Sequence, residues 1–409
     1  MMAPPALPLH RHQSSLEGII DFSSRQPLSE SHRASAIRRF YHVINHFDSE
    51  DVKRGQDQYD RVKLVRFTYE YSTNQESKDN VLIAVFEFLK LSVSSEEDID
   101  FEDATYREQL KAHLYKFADY LVDNFFLPRI SSFTATSCPI ANLSAVKAST
   151  KKTPQPTPAS HSAVMKTQRQ GHIFSGTPER LANLRGACLI RDRYRCVISR
   201  RFDSAEALKR SRRPGGWNEA LDQDGAPLLG QKFARLEVAH IIPHSLTQLN
   251  SSRELNPSKV AALAILNMFD SGVAFLIEGV GIDRPGNALT LSHDLHMSFG
   301  DFQVYFEAVD GQPHTYRIDT FLPPGLEENV PVTRTLYLTE DRTIDPPLPR
   351  LLAVHRAIAH ILHLSAAGEY IDHILWDADE YGIRSDGSTE LDRLVKLRLD
   401  DWALGKVHG

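Results

Sequence analysis

The chain has 409 residues, 41% apolar and 24% charged, and a formal net charge of −6. That length can bury a full core and exceeds one ordinary domain, while the negative balance excludes a globally basic nucleic-acid coat and leaves room for a local basic patch. Three cysteines, Cys138, Cys188 and Cys196, contain no C-x-x-C pair for zinc or redox work, which fits an intracellular protein, nuclear or cytoplasmic.

Taken in chain order, residues 1–30 read as a flexible arm without a long apolar run, so no secretion signal is expected. Residues 31–130 read as a helical domain. Its helices are HRASAIRRFYHVINHF from His32, NVLIAVFEFLKL from Asn80 and FEDATYREQLKAHLYKFADYLVDNFF from Phe101. In the last, Leu110, Leu114, Phe117, Leu121 and Phe125 recur at three- and four-residue steps and form one face for burial. Residues 131–177 are rich in Ser, Thr, Ala and Pro, and no Asp or Glu stands between Asp123 and Glu179. Such a stretch buries too little apolar surface to offset its ordering entropy and reads as a disordered linker.

An α+β region follows over 178–345. PERLANLRGACLIRDRYRC suits a helix leading to a strand at RCVIS, KFARLEVAHII a second strand, and NALTLS a third, with HDLHMSFGDF a short helix. QVYFEAVDGQPHTYRIDTF alternates about a Val-Asp-Gly-Gln hairpin turn. The most apolar run, VAALAILNMFDSGVAFLIEGV from Val260, is interrupted by Asn267 and Asp270 and is not expected to span a membrane. Residues 346–409 read as a helical segment packed on this region, with Leu352, Ile358, Ile361 and Leu362 inward and His355, His360 and His363 on the exposed face.

One stretch, LEVAHIIPHS, sets His240 at the end of an apolar run and His244 four residues on. Asn287 stands 47 residues after His240, and His296 nine after Asn287, which gives His at a strand end, Asn at the next strand and His on the following helix. Together RDRYRCVISR, EVAHIIP and NALTLSHDLHMSFGDF resemble the HNH nuclease domain, in the form found in uncharacterised fungal proteins, and LLAVHRAIAHILHLSAAGEYI resembles the tail that follows it there. The resemblance covers about Glu179 to Trp402. It implies an α+β fold built on a ββα-metal core with added strands, flanked by N-terminal and C-terminal helical segments.

Hydrolysing a phosphodiester needs a base to take a proton from water, a cation to offset charge on the phosphate, and a group that holds the base in one orientation. A neutral His suits the first role at cellular pH. By resemblance, His240 is the general base, Asn287 orients it and pins the two strands, and His296 is a helix-borne metal ligand, with Mg2+ or Mn2+ as the ion. Asn287 read alone is equally a turn residue after Pro-Gly. The positions where relatives carry further ligands are here Ala239 and Gly300, so Asp301 and His293, with Asp294 or Glu237, could complete the shell. A degenerate site without metal is the other reading.

Lys209, Arg210, Arg212 and Arg213 form a basic cluster near Arg200 and Arg201, placed either to meet a phosphate backbone or simply to face solvent. The expectation is a metal-dependent endonuclease acting on nucleic acid, DNA ahead of RNA, with no membrane partner. The other reading is an HNH-type fold kept for binding nucleic acid or protein.

Overall fold

A computed structural model describes residues 27–48, 59–128, 177–243, 246, 257–277, 279–380 and 393. The arm at 1–30 and the linker at 131–177 fall outside the described residues, apart from 27–30 and 177, and so does His244. No single described helix is long and apolar enough to cross a membrane.

Four helices open the chain: α1 (Glu30–Asp48), α2 (Arg61–Glu70), α3 (Gln75–Phe88) and α4 (Ala104–Leu121). Three begin on side-chain caps that satisfy backbone N–H groups with no partner inside the helix: Asp60 accepts from Lys63 N at 2.9 Å, Asn74 from Ser77 N at 2.9 Å and Asp103 from Thr105 N at 2.8 Å. The expected stripe on α4 is buried throughout, from Leu110 to Phe125. Helix α2 was not expected, because its polar residues interrupt the apolar pattern of RVKLVRFTYE. Packing between α1, α3 and α4 nevertheless buries Val62, Leu64 and Val65 completely.

The second half begins with α5 (Thr177–Arg191). The strand expected at RCVIS does not form. The chain reverses there instead, with Arg200 N donating to Cys196 O at 3.0 Å and Cys196 N to Arg201 O at 3.0 Å, so the apolar residues fill a tight turn. A two-residue strand β1 (Phe202–Asp203) pairs in parallel with β2 (Phe233–Ala234), and helix α6 (Ser204–Ser211) follows β1. Strand β3 (Leu236–His240) pairs antiparallel with β4 (Ala288–Ser292), and α9 (His293–Gly300) packs on that hairpin. Between β3 and β4 lie α7 (Pro257–Phe269) and the short α8 (Val273–Leu276). Strands β5 (Val304–Ala308), β6 (Thr315–Thr320) and β7 (Val332–Thr335) form an antiparallel sheet, with the expected turn between the first two. Helices α10 (Pro349–Leu364) and α11 (Ala367–Glu380) close the described chain.

Helix α10 packs on β5 and on α2 at once, so little of it faces solvent. That corrects the reading of its histidines. His355 is fully buried, its ring stacked 3.8 Å from Phe299 and its Nε2–H donated to Phe299 O at 3.0 Å. His360 is half-buried, and only His363 is exposed.

One buried cluster runs from α1 to α11 and includes both sides of the sequence. The joint is α7. Phe269 meets Phe125 and Phe126 at 5.2 and 6.0 Å between ring centres, Thr73 N donates to Phe269 O at 2.8 Å, and Ser271 N to Ser77 Oγ at 2.7 Å. Replacing Phe269 with Ala is therefore expected to cost about 3–5 kcal/mol. Urea unfolding followed by circular dichroism should show the loss as a lower midpoint of a single transition.

Candidate functional site

The β3/β4 hairpin organises the site. In its register Glu237 pairs with Leu291, Ala239 with Leu289 and His240 with Ala288. Successive side chains on a strand point to opposite faces, so Glu237 and Ala239 share one face while Val238 and His240 share the other. The first face carries α9. The second meets α5, where Leu184 and Cys188 pack with Ala288 and Val238.

On the α9 face, His293 and His296 stand one turn apart and both reach Glu237. His296 Nδ1 lies 2.8 Å from Glu237 Oε2, and His293 Nδ1 lies 3.1 Å from Oε1. The hydrogen bond from His296 is the main reason the Glu237 carboxyl is held down at about 2, with burial opposing it and His293 adding to it. His296 is buried and His293 exposed. Asp301, just past the helix, has its carboxyl pushed up to about 6 by burial, partly offset by His296. Asp294 is exposed.

Among the described residues, no group of three or more His, Cys, Asp or Glu side chains could hold a metal ion. The expected ligands His296, Asp301 and His293 do not make a shell. Each histidine has turned one ring nitrogen to Glu237, and burial raises the cost of ionising Asp301. Ala239, on the same face, has no donor to add. The residues present thus do not fit a divalent ion.

On the α5 face, His240 Nε2 lies 3.2 Å from Oδ1 of Asp283, a fully buried carboxylate whose Oδ2 is ion-paired with Arg180 of α5. A tight 3-10 turn, Gly279–Asp283, delivers Asp283, and it needs its glycine: a Cβ on Gly281 would sit 2.7 Å from Leu276 O. Asn287 ends the next short turn and is buried. Its Oδ1 accepts from Ile242 N at 2.9 Å, and its Nδ2 donates to Ile242 O and Ile282 O, both at 2.9 Å. The Asn thus clamps the chain that leaves His240 to the chain that enters β4.

The three motif residues do not share one set of partners. Asn287 stands beside His240, but alternation along β3 sends His240 to the α5 face while His296 meets Glu237 on the α9 face. The basic cluster divides as well. Arg210 is buried and bonded to Glu206 Oε1, Leu221 O and Gln223 Oε1 at 2.8–2.9 Å, so it holds its own loop together and does not face a phosphate. Arg200 donates to Thr335 O at 2.6 Å and lies over the Tyr337 ring at 4.2 Å. Lys209, Arg212 and Arg213 are exposed and Arg201 is half-exposed. Asp283 and Arg180 were missed by sequence reasoning. Their partners lie 43 and 103 residues away, and no local pattern marks them.

In comparison with known proteins, residues 196–307 fit the family model described as HNH endonuclease. No curated protein and no solved structure matches the chain. The matched stretch holds β3, β4 and α9 and carries an HNH nuclease domain.

The depressed Glu237 carboxyl has a consequence for stability. A group whose pKa falls from 4.5 unfolded to about 2 folded stabilises the fold fully above pH 4.5 and loses that contribution as pH falls through about 2. Glu237→Gln should therefore be less stable than the wild type near neutrality. Urea unfolding between pH 6 and pH 2, on the order of these two bounds, should show the two stabilities converging at the acid end.

Proposed function

We propose that the protein is an HNH-type endonuclease that hydrolyses nucleic-acid phosphodiester bonds, with DNA favoured over RNA and His240 as general base. The observation that carries this reading is the match of residues 196–307 to the HNH endonuclease family, with His240 held by a buried carboxylate at the strand end inside that match. A base must be presented in one orientation to take a proton from water. Asp283 holds the ring, and Asn287 fixes the backbone on which it stands.

Metal dependence, with Mg2+ or Mn2+, enters the proposal on the family match alone. No step is routed through an ion, because the described residues provide no shell for one. Nucleic acid would be met by Lys209, Arg212 and Arg213, whose exposed charges can release counterions from a phosphate backbone. The cluster reads no base sequence by itself.

The deciding assay is nicking of supercoiled plasmid, with structured RNA alongside, in the presence of magnesium, manganese or a chelator. His240→Ala is expected to lose about 10²- to 10⁴-fold in rate. An unchanged rate in that variant would remove His240 from catalysis. Binding without cleavage under every condition would assign the domain to nucleic-acid binding alone.

Charge removal tests the interface separately. Arg212→Ala and Arg213→Ala should each reduce the salt dependence of DNA binding by about one unit of slope while leaving the fold unchanged. Arg210→Ala should instead lower thermal stability, because it removes the buried donor that Glu206, Leu221 and Gln223 share.

A further inference from the structure

The turn that forms in place of the strand expected at RCVIS brings two guanidinium groups together. Arg200 of the turn reaches out to β7, its Nη2 donating to Thr335 O at 2.6 Å, and Arg334 of β7 reaches back, its Nε donating to Ile198 O at 2.7 Å. Each arginine thus holds the other's backbone. The Arg200 guanidinium lies 4.2 Å from the centre of the Tyr337 ring, and that of Arg193 lies 5.1 Å from the same ring. All four side chains are half-buried.

Positive charge is in excess here. Of the three arginines, Arg193 is ion-paired, with Asp224, while neither Arg200 nor Arg334 has an ion pair among the described residues. Asp192, whose charge Arg200 feels, already gives both oxygens to Arg191. Arg200 Nη1 is buried with no hydrogen-bond partner. Burial, and the positive charge of Arg334 after it, holds the Arg200 guanidinium below the ordinary arginine range, with Tyr337 opposing. Tying the turn to the sheet does not require this, since a neutral amide can donate to a carbonyl and a guanidinium carries more donors than either bond uses. Arg200 also stands at φ 61°, a conformation that glycine adopts freely and other residues adopt under strain. Strain of that kind collects at functional sites.

We propose that Arg200 and Arg334 form a phosphate site at the junction of this turn with β7, and that a phosphodiester of the nucleic-acid backbone fills it. The choice of nucleic acid rests on the nuclease reading above. Two planar forks, each fixed through a backbone carbonyl, offer donors to the non-bridging oxygens of one phosphate, and an anion there offsets the unpaired charge. Such a contact sets the register of the backbone and reads no base. Arg334 lies beyond the stretch 196–307 that matches the family, so half of the site is contributed by the sheet that follows it. Helix α6, with exposed Lys209, Arg212 and Arg213, follows the same turn in the chain and places further positive charge on the same segment.

The test reads binding and needs no cleavage. A fluorescein-labelled DNA duplex is titrated with the full chain in chelator, and its anisotropy is followed at a series of salt concentrations. Arg200→Gln and Arg334→Gln, which keep a donor for the backbone carbonyl, should each lower the slope of log affinity against log salt by about one unit. Arg334→Lys keeps the charge and should keep the slope. Wild-type slopes in both glutamine variants would overturn the proposal, because arginines that only tie the turn to β7 contribute nothing to the salt dependence. Should the glutamine variants fail to fold, the wild type decides. In 15N-arginine-labelled protein the Nε–H signal lost in Arg334→Lys identifies Arg334, and the duplex should shift it. A signal that the duplex leaves unmoved overturns the proposal, as does one moved by inorganic phosphate or an acidic peptide alone. Nicking by the wild type with unchanged slopes leaves the nuclease reading standing without this site. Lowered slopes without nicking by the wild type keep the site and remove the nuclease reading.

Discussion

The guanidinium of Arg191 is the contact on which the site's geometry rests. It is buried at the end of α5 and makes five hydrogen bonds: two at 2.8 Å to the carboxylate of Asp192, and three to the carbonyls of Pro285, Ala288 and Asp345 at 2.7–3.2 Å. A charged group taken out of water is costly unless it is paired and every donor is used, and here each donor has an acceptor. Because the three carbonyls come from the entry to β4 and from the segment that leads into α10, one side chain sets the spacing of three elements. Asn287 lies between two of those carbonyls. Its clamp on Ile242, and so the course of the chain after His240, follows from where Arg191 holds its neighbours.

The hairpin built on this anchor separates its polar groups by parity. Residues of one parity face α9, where Glu237 engages both histidines of that helix; residues of the other face α5, where His240 engages Asp283. Each set is satisfied within its own face. A carboxylate that already accepts from two imidazoles is a poor donor to an ion. The absence of a three-donor shell among the described residues thus has a local cause: the ligand position beside His240 is Ala239, and the groups across from it have bonded to one another.

Much of the secondary structure was legible in the sequence. The α4 stripe, the strands LEVAH and ALTLS and the β5–β6 hairpin follow from periodicity, which reports which face of an element is buried. Periodicity cannot report what lies against that face. RCVIS has the composition of a strand, but hydrogen bonds between Cys196, Arg200 and Arg201 turn it back on itself. His355 looked like a surface residue because its helix carries other histidines, and burial came from α9 and the sheet packing over it. Arg210 looked like its neighbours Lys209 and Arg212, yet it alone on that helix points back to Gln223 and Leu221. At the site, the motif located His240, Asn287 and His296, and Glu237 stood in the same strand. Asp283, Arg180 and Arg191 were invisible because, the adjacent Asp192 apart, their partners are distant in sequence and their residue types are common in solvated loops.

The boundaries of the family match bear on how the domain works. Residues 196–307 contain His240, Asp283 and Asn287, but Arg180, which pairs with Asp283, and Arg191, which anchors β4, precede them. Strands β6 and β7 and helix α10 lie after the match, and α10 covers Phe299 of α9 through His355. Helix α7, inside the match, buries its apolar side against α3 and the Phe125–Phe126 turn of the N-terminal helices. A segment cut at those boundaries would keep the motif and lose the groups that orient it. The chemistry proposed for His240 is therefore a property of the larger folded unit: the motif supplies the reacting ring, and residues outside it determine which way that ring faces.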